Sequence, residues 1–160
     1  MALGDNTLRS AAGNSQRGRN PYMVETTLNW ATALSDKGSA LAAADVVPVI
    51  AVAKGTMILN AGIEVDTATD GSTFTVDLGT GVDPDVFVDG FDATSAAAVV
   101  AQNPAVYQPV MAVADDNIDV TVATLSGGAV TSGKFRVWAV LMDCTEMGDT
   151  AANEVARDNA

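Results

Sequence analysis

Lys134-Phe-Arg-Val-Trp-Ala-Val-Leu-Met-Asp-Cys-Thr145 is the longest strand signal in the chain, a run rich in Val and aromatic residues with no Gly or Pro. That composition suits a pleated, half-buried surface. Immediately upstream, Ser126-Gly-Gly-Ala-Val-Thr-Ser-Gly133 reads as a turn and Ile118-Asp-Val-Thr-Val-Ala-Thr-Leu125 as the strand that enters it. Working further back, Val106 to Ala114 reads as a strand containing Pro109. Ala93 to Ala101 is mostly Ala and Val and reads as a short helix or an irregular crossover. Gly79 to Asp92 reads as a long acidic, glycine-bearing loop.

The first half repeats the pattern. Tyr22 to Thr32 places Tyr22, Val24, Thr26, Leu28 and Trp30 on one face and Glu25, Thr27 and Asn29 on the other, the period of a half-buried strand. Ser35 to Ser39 reads as a loop, and Ala40 to Asp45 as either one helical turn or connecting chain. Val46 to Ala53 is a strand that Pro48 places near an edge or a bulge. Lys54-Gly55 is a tight turn, and Thr56 to Val65 is a strand with Gly62 as its expected bulge. Thr69-Asp-Gly-Ser72 is expected to close a hairpin into Thr73-Phe-Thr-Val-Asp-Leu78.

Seven or eight short strands joined by Gly, Asp and Ser turns, with neither βαβ alternation nor a fixed-period repeat, predict an all-β protein. It is read as a single β-sandwich or jelly-roll domain with an extended N-terminal arm. The expected boundaries are an arm at 1–20 ending at Asn20-Pro21, a sandwich at 21–146 and a C-terminal tail at 147–160.

Composition narrows the function. The 160 residues are 48% hydrophobic but only 5% aromatic, so the core is built from small and β-branched side chains that each bury little area. Association with copies of itself or with a partner is therefore expected to add to stability. The net charge of −12 argues against nucleic acid as a partner, since phosphate binding needs a Lys/Arg surface. The charge is uneven, with Arg9, Arg17 and Arg19 against Asp5 alone in the first 20 residues, and the body strongly acidic. That asymmetry marks an interaction tail. No apolar run reaches the ~20 residues of a membrane span, and Met1-Ala-Leu-Gly-Asp-Asn-Thr-Leu-Arg-Ser10 lacks the layout of a signal peptide; a chain made in a cytoplasm and used there or in an assembly, with no membrane partner, is expected.

Catalysis finds little support. Histidine is absent, which removes the commonest general base and zinc ligand, and the single Cys144 sits inside a strand without an activating base. The acidic stretch from Asp83 to Asp92 fails the calcium-loop order, because Phe87 and Val88 fall where an acid and a Gly belong; Asp-Pro-Asp and Asp-Gly are read as turn formers. No pair of acids is singled out for glycoside hydrolysis. The reading is of a non-enzyme without cofactor or metal.

Lys54-Gly-Thr-Met-Ile-Leu-Asn-Ala-Gly-Ile-Glu-Val65, then Gly71-Ser-Thr-Phe-Thr-Val76, then Gly79-Thr-Gly-Val-Asp-Pro-Asp-Val-Phe-Val-Asp-Gly-Phe-Asp92 resemble small virion structural proteins of tailed bacteriophages, over roughly residues 45–145. The resemblance implies a capsid decoration or cement protein, a jelly roll sitting as a trimer, or sometimes a dimer, on the outer capsid surface and clamping neighbouring subunits of the major capsid protein. It also implies an N-terminal arm reaching across that surface, which residues 1–20 match, with Arg9, Arg17 and Arg19 as its capsid-binding residues. No catalytic residue is carried over.

Two other readings stay open. One is a tail, fibre or baseplate structural domain that binds a host glycan; the other is a β-sandwich glycosidase with paired acids in a cleft. Tyr22 and Trp30 are candidate interface residues. For Trp30 and Trp138 alike the alternative is core packing, because Trp is common both in cores and at binding hot spots.

Overall fold

The structure, a computed structural model, describes residues 20–101 and 109–144. Nine strands and one helix follow in the order β1 (Tyr22–Asn29), α1 (Trp30–Lys37), β2 (Val46–Val52), β3 (Thr56–Thr67), β4 (Thr73–Thr80), β5 (Val88–Asp92), β6 (Val99–Ala101), β7 (Val110–Met111), β8 (Asp116–Ser126) and β9 (Lys134–Asp143). They form two antiparallel sheets. One runs β1-β9-β3-β6, with β7 pairing farther along β3, and the other runs β2-β8-β4-β5.

The pairings nest. β4 pairs β5, β3 pairs β6, β2 pairs β8 and β1 pairs β9, as if one long hairpin with its tip between β4 and β5 had been rolled until β9 met β3 and β8 met β4. This is the jelly roll of the two expected architectures. Rolling decides what the turns do. Lys54-Gly55, Asp70-Gly71 and the 127–133 turn each carry the chain from one sheet to the other, so Thr69–Ser72 is a corner between sheets and not the expected hairpin.

Alternation along each strand puts Ile58, Ile63 and Val65 of β3, Phe74, Val76 and Leu78 of β4, Ile118, Val120 and Val122 of β8, and Phe135, Val137, Ala139 and Leu141 of β9 into one shared core. At one end of the roll that core is aromatic. The Trp30 ring meets Phe74 and Phe135 edge-on, with centroids 5.1 and 5.5 Å apart. Trp30 is 0% exposed. The core alternative is therefore the correct one for Trp30, and its candidacy as an interface residue is withdrawn, since a sealed ring offers no surface to a partner.

The local cause is a helix where the alternation predicts strand up to Thr32 and loop beyond. The Asn29 side chain accepts a hydrogen bond from the Ala31 N–H at 3.0 Å, a helix N-cap, and Gly38 ends the helix at φ 69° with its N–H on the Leu34 carbonyl. The Ala40–Asp45 segment is not helical; the Asp45 carboxylate accepts from the Ala42 N–H and pairs with Lys37, closing a turn into β2.

Other expectations divide. Pro48 lies on the edge strand β2, where the register with β8 shifts between Pro48 and Ile50, as read. The register of β3 with β9 shifts between Ile58 and Asn60 and again between Val65 and Thr67, and not at Gly62. Gly62 serves space, because a Cβ there would lie 2.5 Å from the Trp138 ring that crosses it on the outer face of the sheet. The acidic loop ends in β5, the Ala/Val stretch ends in β6, and the strand expected over 106–114 is the two-residue β7 in its described part. Residues 1–19 of the arm, the tail, and Thr145 and Glu146 lie outside the described residues.

Candidate docking site

Of the large apolar residues exposed among the described ones, Tyr22, Met23, Val82, Met111 and Val113 gather at the end of the roll opposite Trp30. Register brings its parts together. Tyr22 pairs with Leu141, Ile58 with Leu141, Met57 with Met111, Val52 with Asp116 and Thr80 with Ile118, so the start of β1, the ends of β2 and β4, the start of β3, all of β7 and the start of β8 share one end. Between them opens a cleft of about 530 Å³. Its apolar lining includes Val52 and Ile58 from the core side and Val86, Val110 and Met111 nearer the mouth. Val82 and Val113 stand at its lips, 86% and 77% exposed.

Two loops shape the mouth. Between β4 and β5 the chain folds back over Gly79, where a Cβ would meet the Asp83 carbonyl oxygen at 2.2 Å. The Thr80 N–H donates to that same oxygen at 2.8 Å. Only Gly at 79 lets the loop close this tightly, and the closure is what holds Val82 outward. Between β7 and β8, the Asp115 carboxylate accepts from the Lys54 N–H at 2.9 Å and fixes the loop bearing Val113 against the β2–β3 turn.

The rim is acidic, with Asp83, Asp115 and Asp116 among the cleft residues. The carboxyl of Asp85 hydrogen-bonds and repels that of Asp83, which raises Asp83 above its ordinary value. Burial, then the charge of Asp116, raises Asp119 on the adjoining outer face of the β2-β8-β4-β5 sheet. Burial, then Asp89 and Asp85, raises Asp77 beside it, although the Gly90 N–H donates to Asp77 at 2.7 Å. Asp92 is lowered instead, its carboxylate holding the Thr94 hydroxyl and N–H in a turn. The acids from 83 to 92 are thus divided between a loop and a strand. Among the described residues no group of three His, Cys, Asp or Glu is placed to hold a metal ion, and no helix is long and apolar enough to cross a membrane.

What such a site can do is seat an apolar projection of another surface and favour a basic segment around it. Of the residues singled out from the sequence, Tyr22 is at this end and 47% exposed, while Trp30 is buried at the opposite one. Arg9, Arg17 and Arg19 lie outside the described residues, which begin with Asn20 at this same end, just before β1. The sequence reading missed Val82 and Val113. Val82 is a lone apolar residue among turn formers and Val113 sits in an apolar run read as strand, and nothing local separates either from the inward-facing valines three or four residues away.

Neither a protein-family model nor a curated protein matches the chain. Solved structures do. A chain of the cyanophage Pam1 capsid asymmetric unit superposes with a TM-score of 0.64 at 15% identity, covering 88% of this chain and 97% of that one. A chain of the capsid of Ralstonia phage GP4 gives a TM-score of 0.57 at 17% identity, over 79% of this chain and 86% of that one. At these identities the likeness is one of fold.

Proposed function

We propose that the chain is a non-catalytic capsid decoration (cement) protein of a tailed bacteriophage, binding the outer surface of the head and clamping neighbouring subunits of the major capsid protein. The observation that carries the reading is the extent of the fold match. Almost the whole of a phage capsid chain is covered by this one jelly roll, so the neighbour is itself a single small sandwich working inside a capsid assembly. A chain built the same way and lacking histidine suits a part that binds instead of reacting.

The apolar, acid-rimmed end supports the same reading from the chain's own residues. Exposed apolar groups with a polar rim are the anatomy of a protein contact. Val82 and Val113 are the anchors of the proposed capsid contact, Tyr22 flanks them, and Arg9, Arg17 and Arg19 extend the contact from that end as a basic arm. The occupant of the cleft in this reading is a surface loop of the major capsid protein. Many modest contacts, repeated over the copies on a head, add to firm attachment. The net charge of −12 keeps the free subunit soluble and makes nucleic acid an unsuitable partner.

The test is binding of purified chain to heads stripped of it. Val82→Asp and Val113→Asp add charge at exposed positions and should change folding stability by less than about 0.5 kcal/mol, while weakening attachment at least tenfold. Undiminished attachment of both variants would remove the cleft from the contact.

A further inference from the structure

The two outer faces of the roll differ in a way that bears on how copies meet. None of the four strands of the β2-β8-β4-β5 sheet contains Lys or Arg, and that sheet carries Asp77, Asp92 and Asp119 outward. The β1-β9-β3 face is different. Each of its carboxylates has a basic partner, two bases for three acids: Arg136 lies between Glu25 and Glu64, with its Nη1 3.2 Å from the Glu25 carboxylate and its Nε 2.8 Å from that of Glu64, and Lys134 stands 3.6 Å from Asp66. Beyond that band, toward the cleft end, the same face is apolar apart from Asn60, which pairs with Val140. Register places Met23 beside Val140, Trp138 over Gly62, and Met57 between Met142 and Met111. Met23 and Met111 are exposed, and Trp138, Val140, Met142 and Met57 are half-buried.

We infer that this face, from Met23 across Trp138 and Val140 to Met111, is the surface through which copies of the chain associate. Charge chooses the occupant. Two copies each of net charge −12 repel wherever carboxylates face each other. The acidic sheet is therefore closed to a second copy, and the locally compensated face is the one on which self-contact adds little repulsion. Size sets the strength: the stretch from Trp138 to Met142 is about half of β9, so at about 3.3 Å per residue and four strands about 4.8 Å apart the apolar part covers on the order of 300 Å² in projection, below the ~800 Å² per partner of a standard interface, which suits an association that dissociates on dilution. Methionine suits such a contact, being unbranched and able to adapt its shape to a facing copy. The inference deepens the decoration reading by naming the contact between copies. It is tested on free protein without particles, so its failure leaves the capsid reading standing, and the reverse.

The experiment is sedimentation velocity on the full chain over a dilution series, paired with acrylamide quenching of tryptophan fluorescence. Trp30 is sealed in the core and Trp138 lies on the proposed face, so quenching reports Trp138. The expected result is an oligomer that dissociates on dilution, with Trp138 more readily quenched as it does. Met23→Glu should weaken association at least tenfold, while Val46→Glu, equally exposed on the other sheet, leaves it unchanged. A chain that stays monomeric throughout overturns the inference. So does an oligomer whose Trp138 quenching is independent of concentration, or one that Val46→Glu disrupts as strongly as Met23→Glu.

Discussion

Two residues show where local pattern and final position part company. The alternation that runs from Tyr22 through Leu28 continues in register to Trp30, so a period of two reads Trp30 as strand, yet Asn29 and Gly38 bracket a helix that swings the ring into the core. The capping signal was present in the sequence, and the alternation outweighed it. Trp30→Ala should destabilise the fold by about 3–5 kcal/mol, the range for losing a large buried aromatic, measured by chemical denaturation. Asp119 gives a prediction of the opposite sign. It is only 8% exposed, and burial raises its pKa. A carboxyl whose folded pKa is raised favours folding below its unfolded value of about 4, and that contribution is lost as pH rises through the folded pKa. Asp119→Asn should therefore melt higher than the parent at pH 7, with the gain disappearing below about pH 4. A variant that melts lower at pH 7 would mean the carboxylate has a partner that offsets its burial.

Elements were legible in proportion to their length and their side-chain alternation. β2, β3, β4, β8 and β9 all follow from β-branched runs bounded by Gly, Asp and Ser. β5, with Val88-Asp-Gly-Phe-Asp92, reads as loop because its Asp-Gly pair is a turn former; the strand exists because β4 supplies the ladder. β6 and β7 are too short to carry a period, and β3 organises both. The corners were misread for a related reason, since Asp-Gly has the same local chemistry whether it joins two strands of one sheet or carries the chain between sheets. Asp70 shows what such a corner contributes. Its carboxylate accepts from the Thr131 and Ser132 N–H groups at 2.8 and 3.0 Å and from the Thr131 hydroxyl, tying the β3–β4 corner to the β8–β9 corner. These bonds hold its pKa well below the usual carboxylate range, the Thr131 hydroxyl bond first among them. A lowered folded pKa means stability that is full above the unfolded value of about 4 and lost as pH falls toward the folded one. Asp70→Asn should lower the melting temperature at pH 7, and its gap to the parent should narrow steadily below about pH 4. A gap that stays constant down to pH 2 would show that charge at Asp70 is irrelevant to the corner.

At the level of the molecule, all-β class and a rolled sandwich followed from strand count, turn chemistry and the lack of helical crossovers. The docking end did not, because it is made by register. Val82, Val113, Tyr22 and Met111 come from four separate segments that only the jelly-roll winding brings to one end. The basic residues 1–19 precede every described strand, so deleting them should leave the melting temperature unchanged and weaken attachment to heads. Attachment as tight as that of the full chain would remove the arm from the proposed contact. The most direct check on the decoration reading is to count and locate the chain in purified particles, by quantitative mass analysis of separated heads and tails. Many copies on each head and none on tails is the predicted result; a few copies confined to tails, or none on particles at all, would contradict it.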